Sequence, residues 1–312
     1  MLGPEDSGKL PGSMELFTRV PENPVLVPRT EVPWERKAVF NPGVVEYKGK
    51  IYMLYRAVGE YERYISRLGL AVSEDGIHFE RFREPVFEPR EEYERFGCED
   101  PRITPLEGRF YITYTALSAR AFSERGNYVG LASTKDFHTF ERHGVVLPEF
   151  EDKDAVIFPE QVKGKYVMFH RIVPDIWIAY SEDLVHWYGH KKVMYPRPGC
   201  WDSVKIGAGP PPVKTDEGWL LFYHGVDKAR TYRMGVALFD LDAPEKLISR
   251  PLEYVLEPRE EWEREGDIPH VVFACGVVER DGDFLLYYGG GDKVVGVARA
   301  PVKEVVEFAR RG

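Results

Sequence analysis

The sequence has few cysteines and few amide side chains. Its 312 residues include three cysteines, Cys98, Cys200 and Cys275, an odd number without the spacing of a metal site. We therefore expect free, partly buried thiols rather than a disulfide framework. One Gln and three Asn stand beside 42 basic and 51 acidic residues. This shortage of thermolabile amides is typical of proteins from heat-loving organisms.

Long apolar runs and an excess of positive charge are also missing. The chain has no apolar run long enough to cross a bilayer and no signal-peptide pattern, so we expect a cytoplasmic protein. The formal net charge of −9 argues against nucleic acid or an anionic membrane as a partner. Residues 1–13, rich in Gly, Pro and Ser, predict a flexible N-terminal tail before a single domain over residues 14–312.

The chain does contain a degenerate phrase that recurs five times. Each copy has a Pro-flanked apolar run and then a strand pair that turns on a glycine; these glycines are Gly49, Gly108, Gly164, Gly218 and Gly282. Their spacings are 59, 56, 54 and 64 residues. A period of this order, made of short strands, is typical of a propeller blade. The sequence predicts an all-β, five-bladed β-propeller with a short C-terminal helix over residues 301–311.

Polar residues recur at two places in the copies. Just before each Gly hairpin, on what should be the innermost strand, the chain has a polar residue at a broadly similar place: Asn41, Asp100, Asp154, Lys205 and His270. A second set follows at the end of the next strand: Arg56, Thr115, Arg171, His224 and Asp292. A site that mixes carboxylates with Arg, Lys and His suits an anionic substrate better than a neutral one. Neighbouring aromatic side chains would offer stacking surfaces for sugar rings.

These phrases resemble glycoside hydrolase family 130, the β-mannoside phosphorylases and related β-mannosidases. The resemblance covers residues 20–300 and rests on six phrases, which begin at Phe40, Gly97, Lys153, Trp201, Tyr223 and Tyr287. It implies a five-bladed propeller and an inverting phosphorylase that releases α-mannose 1-phosphate. It also implies a small carbohydrate and phosphate as partners, allows a homo-oligomer, and calls for no metal or organic cofactor.

The resemblance also implies roles for particular residues. Asp100 would be the acid and protonate the leaving oxygen through the mannosyl 3-hydroxyl. The residues implied in substrate binding are Asn41, Arg56, Arg102 and Asp292. Those implied around phosphate are Arg171, Lys205, His224 and Tyr232. Arginine would bind phosphate with its planar fork and lysine as a point charge.

Several alternatives stay open at this stage. The same fold could carry a β-mannosidase, which would need a second carboxylate to activate water, or a non-catalytic sugar-binding site. A three-carboxylate hydrolase would want an acidic residue where Asn41 stands. Arg102 could instead form an ion pair between blades, and His170 could be a hydrogen-bonded core histidine. We expect Asp202 and Asp267 to be turn or strut residues.

Overall fold

The computed structural model describes residues 15–123 and 125–312, and the chain is mostly β. The flexible tail predicted over residues 1–13 lies outside the described residues. Within the described residues, twenty-one strands form four sheets, and in the largest a single parallel bridge between Ser66 and Gly97 joins two antiparallel groups. We therefore describe the strands as five antiparallel groups. Group one contains β2 (Ala38–Tyr47), β3 (Lys50–Val58), β4 (Ser66–Ser73) and β5 (Glu80–Arg81). Group two contains β6 (Gly97–Leu106), β7 (Arg109–Leu117), β8 (Asn127–Thr134) and β9 (Phe140–Val145).

The other three groups repeat this pattern. Group three contains β10 (Lys153–Ile157), β11 (Tyr166–Ile172), β12 (Asp175–Ser181) and β13 (Trp187–Met194). Group four contains β14 (Lys205–Ala208), β15 (Val213–Thr215), β16 (Gly218–Val226), β17 (Tyr232–Phe239) and β18 (Leu247–Ser249). Group five contains β19 (Val272–Arg280), β20 (Asp283–Gly290), β21 (Val294–Pro301) and the N-terminal strand β1 (Thr18–Arg19), which pairs with β21.

The predicted glycine hairpins are present. In the turns at Lys48-Gly49, Glu107-Gly108 and Asp281-Gly282, both residues have positive φ. This is the two-residue turn whose twist matches that of paired strands, and it favours glycine at its second position. The repeated glycine therefore marks where the first strand of a group returns as the second.

Apolar clusters join each group to the next. Separate clusters lie between groups one and two, two and three, three and four, and four and five. A further cluster packs Val39 and Met53 of group one against Leu285 and Val297 of group five. The first strands also lie against one another, since β2 contacts both β6 and β19 and β10 contacts both β6 and β14. Polar residues on the first strands are thereby drawn together.

Short helical segments complete the chain. The predicted C-terminal helix is present as α2 (Val302–Ala309), and it buries Val305 and Ala309 in the cluster between groups four and five. The prediction put Pro301 in its first turn, whereas this proline ends β21 and caps the helix. The sequence analysis missed the four-residue helix α1 (Glu261–Arg264). Among the described residues, no helix has the length and apolar character needed to cross a membrane.

Glu263 of α1 ties the N-terminal strand to group five. Its side chain is fully buried and accepts hydrogen bonds from Arg19 Nε at 2.8 Å and from Tyr288 Oη at 2.8 Å. It also accepts the backbone N–H groups of Arg259 and Glu260. The carboxylate therefore serves two separate chain segments and the start of its own helix.

We expect Glu263→Ala to lower the free energy of unfolding by about 3–5 kcal/mol, because it leaves a mostly buried guanidinium and a buried hydroxyl without their partner. Urea unfolding at pH 7 measures this change. The matched control is Glu307→Ala, which breaks the exposed pair of Lys303 and Glu307 and should have little effect. Equal stabilities for the two variants would contradict the role given to Glu263.

Candidate active site

In every group, the strand after the glycine hairpin (β3, β7, β11, β16 or β20), called here the second strand, makes a buried hydrogen bond to a carboxylate. Four groups use a tyrosine hydroxyl, at 2.6–3.0 Å, and group three uses a histidine nitrogen; the pairs are Tyr55–Glu35, Tyr114–Glu94, His170–Asp152, Tyr223–Asp202 and Tyr288–Glu263. All five carboxylates are buried. Successive side chains of a strand point to opposite faces. The residue after each of these aromatic side chains is therefore directed to the other face and is called here the inward residue. The five inward residues are Arg56, Thr115, Arg171, His224 and Gly289.

The first strands of groups one, two and three each contain a bulge. It comes one residue after the first-strand residue that pairs with the inward residue. Registers shift after Phe40, after Glu99 and after Lys153, and the next residues, Asn41, Asp100 and Asp154, have φ of 47°, 50° and 56°. Asn and Asp tolerate this left-handed conformation better than most residues. A bulge redirects the side chain it carries. Three neighbouring groups thus deliver an amide and two carboxylates to the same region.

The prediction that Lys205 and His270 occupy the same place is wrong. In group four the residue paired with His224 is Gly207, so the equivalent position is Ala208. In group five Phe273 pairs with Gly289, so the equivalent position is Ala274. Lys205 and His270 precede these positions by three and four residues. The spacing to the hairpin glycine contains this information, because Asn41, Asp100 and Asp154 precede it by 8, 8 and 10 residues, whereas Lys205 and His270 precede it by 13 and 12.

Asp100 lies in a small network of buried polar groups. Its Oδ1 accepts Asn41 Nδ2 at 2.8 Å and Arg56 Nη1 at 3.1 Å. The same guanidinium bonds Glu99 through Nη2 and donates from Nε to Ser66 Oγ at 2.9 Å. Asn41 Oδ1 is buried and has no hydrogen-bond partner among the described residues, which leaves an acceptor for a ligand hydroxyl.

Room for Asn41 depends on a glycine of group five. A Cβ built on Gly289 would lie 2.2 Å from Asn41 Oδ1, far inside van der Waals contact. Gly289 is the inward residue of its strand, where groups one and three have arginine. Group five therefore contributes space rather than a polar side chain at this level.

Two carboxyl groups near Asp100 have pKa values shifted upward. Burial raises the pKa of Asp292 to about 7; Arg56 opposes this shift, while Asp100, Glu99 and Asp267 reinforce it. Burial also raises the pKa of Glu99, against the effect of Arg56. Because several acidic groups lie close together, they cannot all be fully ionised. Asp292 is thus partly protonated near neutral pH.

Asp154 is surrounded by cations. Its Oδ1 lies 3.1 Å from Arg102 Nη2, and its Oδ2 lies 2.6 Å from Arg171 Nη1 and 3.6 Å from His224 Nε2. Burial alone would raise its pKa, but Arg171 and Arg102 hold the pKa well below its usual range. For His224, burial lowers the pKa well below the usual value; Asp154 opposes this, and Arg171 adds to it. The imidazole is therefore neutral near pH 7.

The four residues that the family resemblance assigned to phosphate lie together. Arg171 Nη1 is 3.3 Å from His224 Nε2, and the His224 ring stacks on Tyr232 with centroids 6.0 Å apart. Lys205 Nζ lies 5.4 Å from the centroid of the Tyr232 ring. Arg171 Nε and His224 Nδ1 are buried without a hydrogen-bond partner among the described residues. Buried polar atoms of this kind are normally satisfied, so the cluster is suited to an anion.

Arg102 is enclosed by protein groups, whereas a residue that binds substrate needs free hydrogen-bond donors. It is 1% exposed, and besides Asp154 it donates to the backbone oxygens of Asp100, Ala208 and Gly209. The alternative of an ion pair between strand groups is what the structure contains. All three of its nitrogens are occupied by protein, so we do not assign Arg102 to substrate binding. It joins the bulge of Asp100 to that of Asp154.

Three other polar residues have the structural roles that the sequence analysis gave them as alternatives or expectations. His170 is fully buried and bonded to Asp152, as expected of a core histidine. Asp202 is a strut that binds Arg197 and Arg250, and Asp267 pairs with Lys293. The sequence analysis missed Glu35, Glu94 and Glu263. A signal for them exists, because each follows an aromatic residue and stands four to six residues after a Pro-Arg pair.

Comparison with known proteins gives matches along nearly the whole chain. A protein-family model described as beta-1,4-mannooligosaccharide phosphorylase, family 130 of the glycoside hydrolases, matches residues 15–311. The 1,2-beta-oligomannan phosphorylase of Thermoanaerobacter sp. is 46% identical over 92% of this chain and 98% of its own. Both findings confirm the resemblance drawn from the repeated phrases.

Solved structures of similar proteins agree with this family match. The beta-1,2-mannobiose phosphorylase from Listeria innocua, in complex with beta-1,2-mannobiose, superposes with a TM-score of 0.86 and 31% identity over 95% of this chain and 99% of that one. A second structure, at TM-score 0.83 and 30% identity over 96% and 97%, comes from work on GH130 hydrolases that target beta-1,2 mannosidic linkages in Candida mannan. The chain is therefore similar both to phosphorylases and to a structure connected with hydrolases.

The raised pKa of Asp292 makes stability depend on pH. The folded-state pKa lies above the value of about 3.9 for an unfolded Asp, so the native protein holds an extra proton between the two values. The stability that this proton confers is present below about pH 4 and is lost as the pH rises through about 7. Asp292→Asn cannot lose a proton there.

We therefore expect the free energy of unfolding of Asp292→Asn, relative to wild type, to rise between about pH 5 and about pH 8. Urea unfolding at both pH values measures the difference. The exposed turn residue Asp216 provides the control, since Asp216→Asn should leave the wild-type pH dependence unchanged. If both variants follow the wild-type profile, Asp292 does not hold this proton.

Proposed function

The chain belongs to glycoside hydrolase family 130, and we propose that it is an inverting β-mannoside phosphorylase that acts on β-1,2-linked mannosides. The reaction transfers the terminal mannosyl group to inorganic phosphate. The products are α-mannose 1-phosphate and a sugar shortened by one residue. The observation that carries the proposal is the anion-suited cluster of Arg171, His224, Tyr232 and Lys205, placed beside the network that holds Asp100.

Asp100 is suited to serve as the acid. Asn41 and Arg56 fix one oxygen of its carboxyl group, so the orientation of the group is set before substrate binds. Departure of the sugar needs a proton on the leaving oxygen, which the family resemblance routes through the mannosyl 3-hydroxyl. The unpartnered Asn41 Oδ1 and the Asp292 carboxyl are available to bind hydroxyls of the mannosyl ring.

Phosphate takes the place of the base and water of a hydrolase. It is already a nucleophile, so the protein has only to bind and orient it near the anomeric carbon. Arg171 and Lys205 supply positive charge, and the neutral His224 and the Tyr232 hydroxyl can donate hydrogen bonds. Attack by phosphate and departure of the sugar on the opposite side invert the anomeric centre, which gives the α-phosphate.

A β-mannosidase is the second candidate, since work on the family describes hydrolases. An inverting hydrolase needs a carboxylate that takes a proton from water. The carboxylate within the cationic cluster is Asp154, and its contacts with Arg102 and Arg171 make it a weak base. This favours phosphorolysis over hydrolysis.

The names of two relatives support the 1,2 linkage in this proposal. The Thermoanaerobacter and Listeria proteins are both named for β-1,2-linked mannosides. Aromatic side chains near Arg56 offer a stacking surface for the leaving sugar, because Tyr64 stacks on Tyr61 and contacts Phe122, which is 67% exposed. Arg56 lies over the Tyr64 ring at 5.9 Å, so this surface adjoins the Asp100 network. Relative turnover of 1,2- and 1,4-linked mannobiose tests the linkage.

We further propose that the five strand groups are the blades of a five-bladed propeller. The support is the apolar cluster that packs group five against group one, together with the contacts among the first strands. The cytoplasmic location, the heat-loving source, a homo-oligomer and the lack of a metal or organic cofactor stay predictions from the sequence.

We expect Asp100→Asn to lower the rate of phosphorolysis on the order of 10²–10⁴-fold, because an amide cannot deliver the proton. Initial rates of mannose 1-phosphate formation from β-1,2-mannobiose measure the loss. Asp202→Asn, which alters a buried strut, is the control for general loss of structure, and thermal unfolding of both variants is compared. Near wild-type rates for Asp100→Asn would remove it from the role of acid.

A further inference from the structure

Group three departs from the pattern of the other four groups in the side chains around its buried carboxylate. Where the others place a tyrosine against the buried carboxylate, it has His170 against Asp152. In the other groups an arginine also reaches the carboxylate; these arginines are Arg81, Arg142, Arg250 and Arg19. In group three a second histidine, His190 of β13, lies behind the first. The inward residue that follows His170 is Arg171, the arginine of the anion-suited cluster.

The polar atoms of group three form a continuous chain. Asp152 Oδ2 contacts His170 Nδ1, and Asp152 Oδ1 accepts the backbone N–H of Arg171 at 2.8 Å. His170 Nε2 lies 3.2 Å from His190 Nδ1, and His190 Nε2 lies 3.4 Å from Glu149 Oε1. The Phe150 ring packs beside both imidazoles. Asp152 and His170 are buried, whereas Glu149 is exposed.

In group three, histidine can bond two groups on different sides of its ring, which tyrosine cannot. An imidazole has two polar atoms on opposite sides of a rigid ring, so it can bond the carboxylate and a second group at once. In the tautomer with its proton on Nδ1, His170 donates to Asp152 and accepts at Nε2 from His190 Nδ1. Burial and the neighbouring His170 lower the pKa of His190, against the effect of Glu149. In that arrangement His190 donates from Nδ1, and its unprotonated Nε2 lies near the Glu149 carboxylate but has no hydrogen-bond partner among the described residues.

We propose that Asp152, His170 and His190 form a positioning unit that holds Arg171 in its phosphate-binding geometry. The inference rests on the proposed function of Arg171. Asp152 fixes the backbone nitrogen of Arg171, and His170 fixes Asp152 from the other side. Arg171 Nη1 must stay within 2.6 Å of Asp154 and 3.3 Å of His224. Displacements of about 1 Å at such a site can cost on the order of 10²-fold in rate.

The test is steady-state kinetics with β-1,2-mannobiose and inorganic phosphate. We expect His170→Phe, which keeps the ring volume but removes both hydrogen bonds, to raise the KM for phosphate roughly 10-fold or more. The KM for mannobiose should change much less, because Asn41, Arg56 and Asp100 belong to other groups. His170→Gln, whose amide can still donate to Asp152, should recover part of the phosphate affinity.

The matched control is Tyr114→Phe. It removes the equivalent buried bond to Glu94 in group two, where the next residue is Thr115 and not a member of the phosphate cluster. Its thermal stability should fall as in His170→Phe, while its KM for phosphate stays at the wild-type value. Should His170→Phe fail to fold, His190→Phe serves in its place, since His190 is half-buried and leaves the Asp152–His170 contact intact.

An unchanged KM for phosphate in the group-three variants would overturn the inference. So would equal rises in the two KM values, or the same rise in Tyr114→Phe, because these results describe general loss of structure. Failure of the proposed function is distinguishable, since wild-type turnover would then not depend on phosphate at all.

Discussion

The site depends on one repeated interaction, the hydrogen bond between a second-strand side chain and a buried carboxylate. In four groups a tyrosine makes this bond, and in group three a histidine does. A buried carboxylate without partners costs free energy. A slip of the strand by one residue would break this hydrogen bond, so the bond holds the strand in register. Alternation then directs the next side chain inward. A bond made on one face of each strand therefore determines which residues reach the site on the other.

Charge separates the site into two parts. Around Asp100, acidic groups outnumber cations, and burial raises the pKa values of Asp292 and Glu99. Around Asp154, two arginines hold the carboxylate ionised, and His224 is kept neutral. The first part can hold and deliver a proton, and the second can receive an anion. Arg102 connects the two parts through the bulges of Asp100 and Asp154, which keeps the Asp100 network at a fixed distance from the anion-suited cluster.

The sequence predicts much of the fold because glycine hairpins and strand alternation are local signals. It also indicates Asn41, Asp100 and Arg171 as candidates, since these residues stand seven or eight residues from the glycines of the recurrent hairpins. Its failures concern long-range geometry. Lys205 and His270 are not equivalent to Asp100, because the strand register places Ala208 and Ala274 at that position in groups four and five. Arg102 is bonded within the protein, because Asp154 and two backbone oxygens of group four surround it. The struts Glu35, Glu94 and Glu263 follow a readable Pro-Arg and aromatic-Glu pattern, but their partners lie on strands about 20 residues away.

The central claim is that phosphate, and not water, attacks the mannosyl group. The most direct measurement follows β-1,2-mannobiose in ¹⁸O-labelled water, with and without inorganic phosphate, by ³¹P NMR and mass spectrometry. The account predicts α-mannose 1-phosphate without label, formed only when phosphate is present. Free mannose carrying ¹⁸O, released at the same rate with and without phosphate, would contradict it.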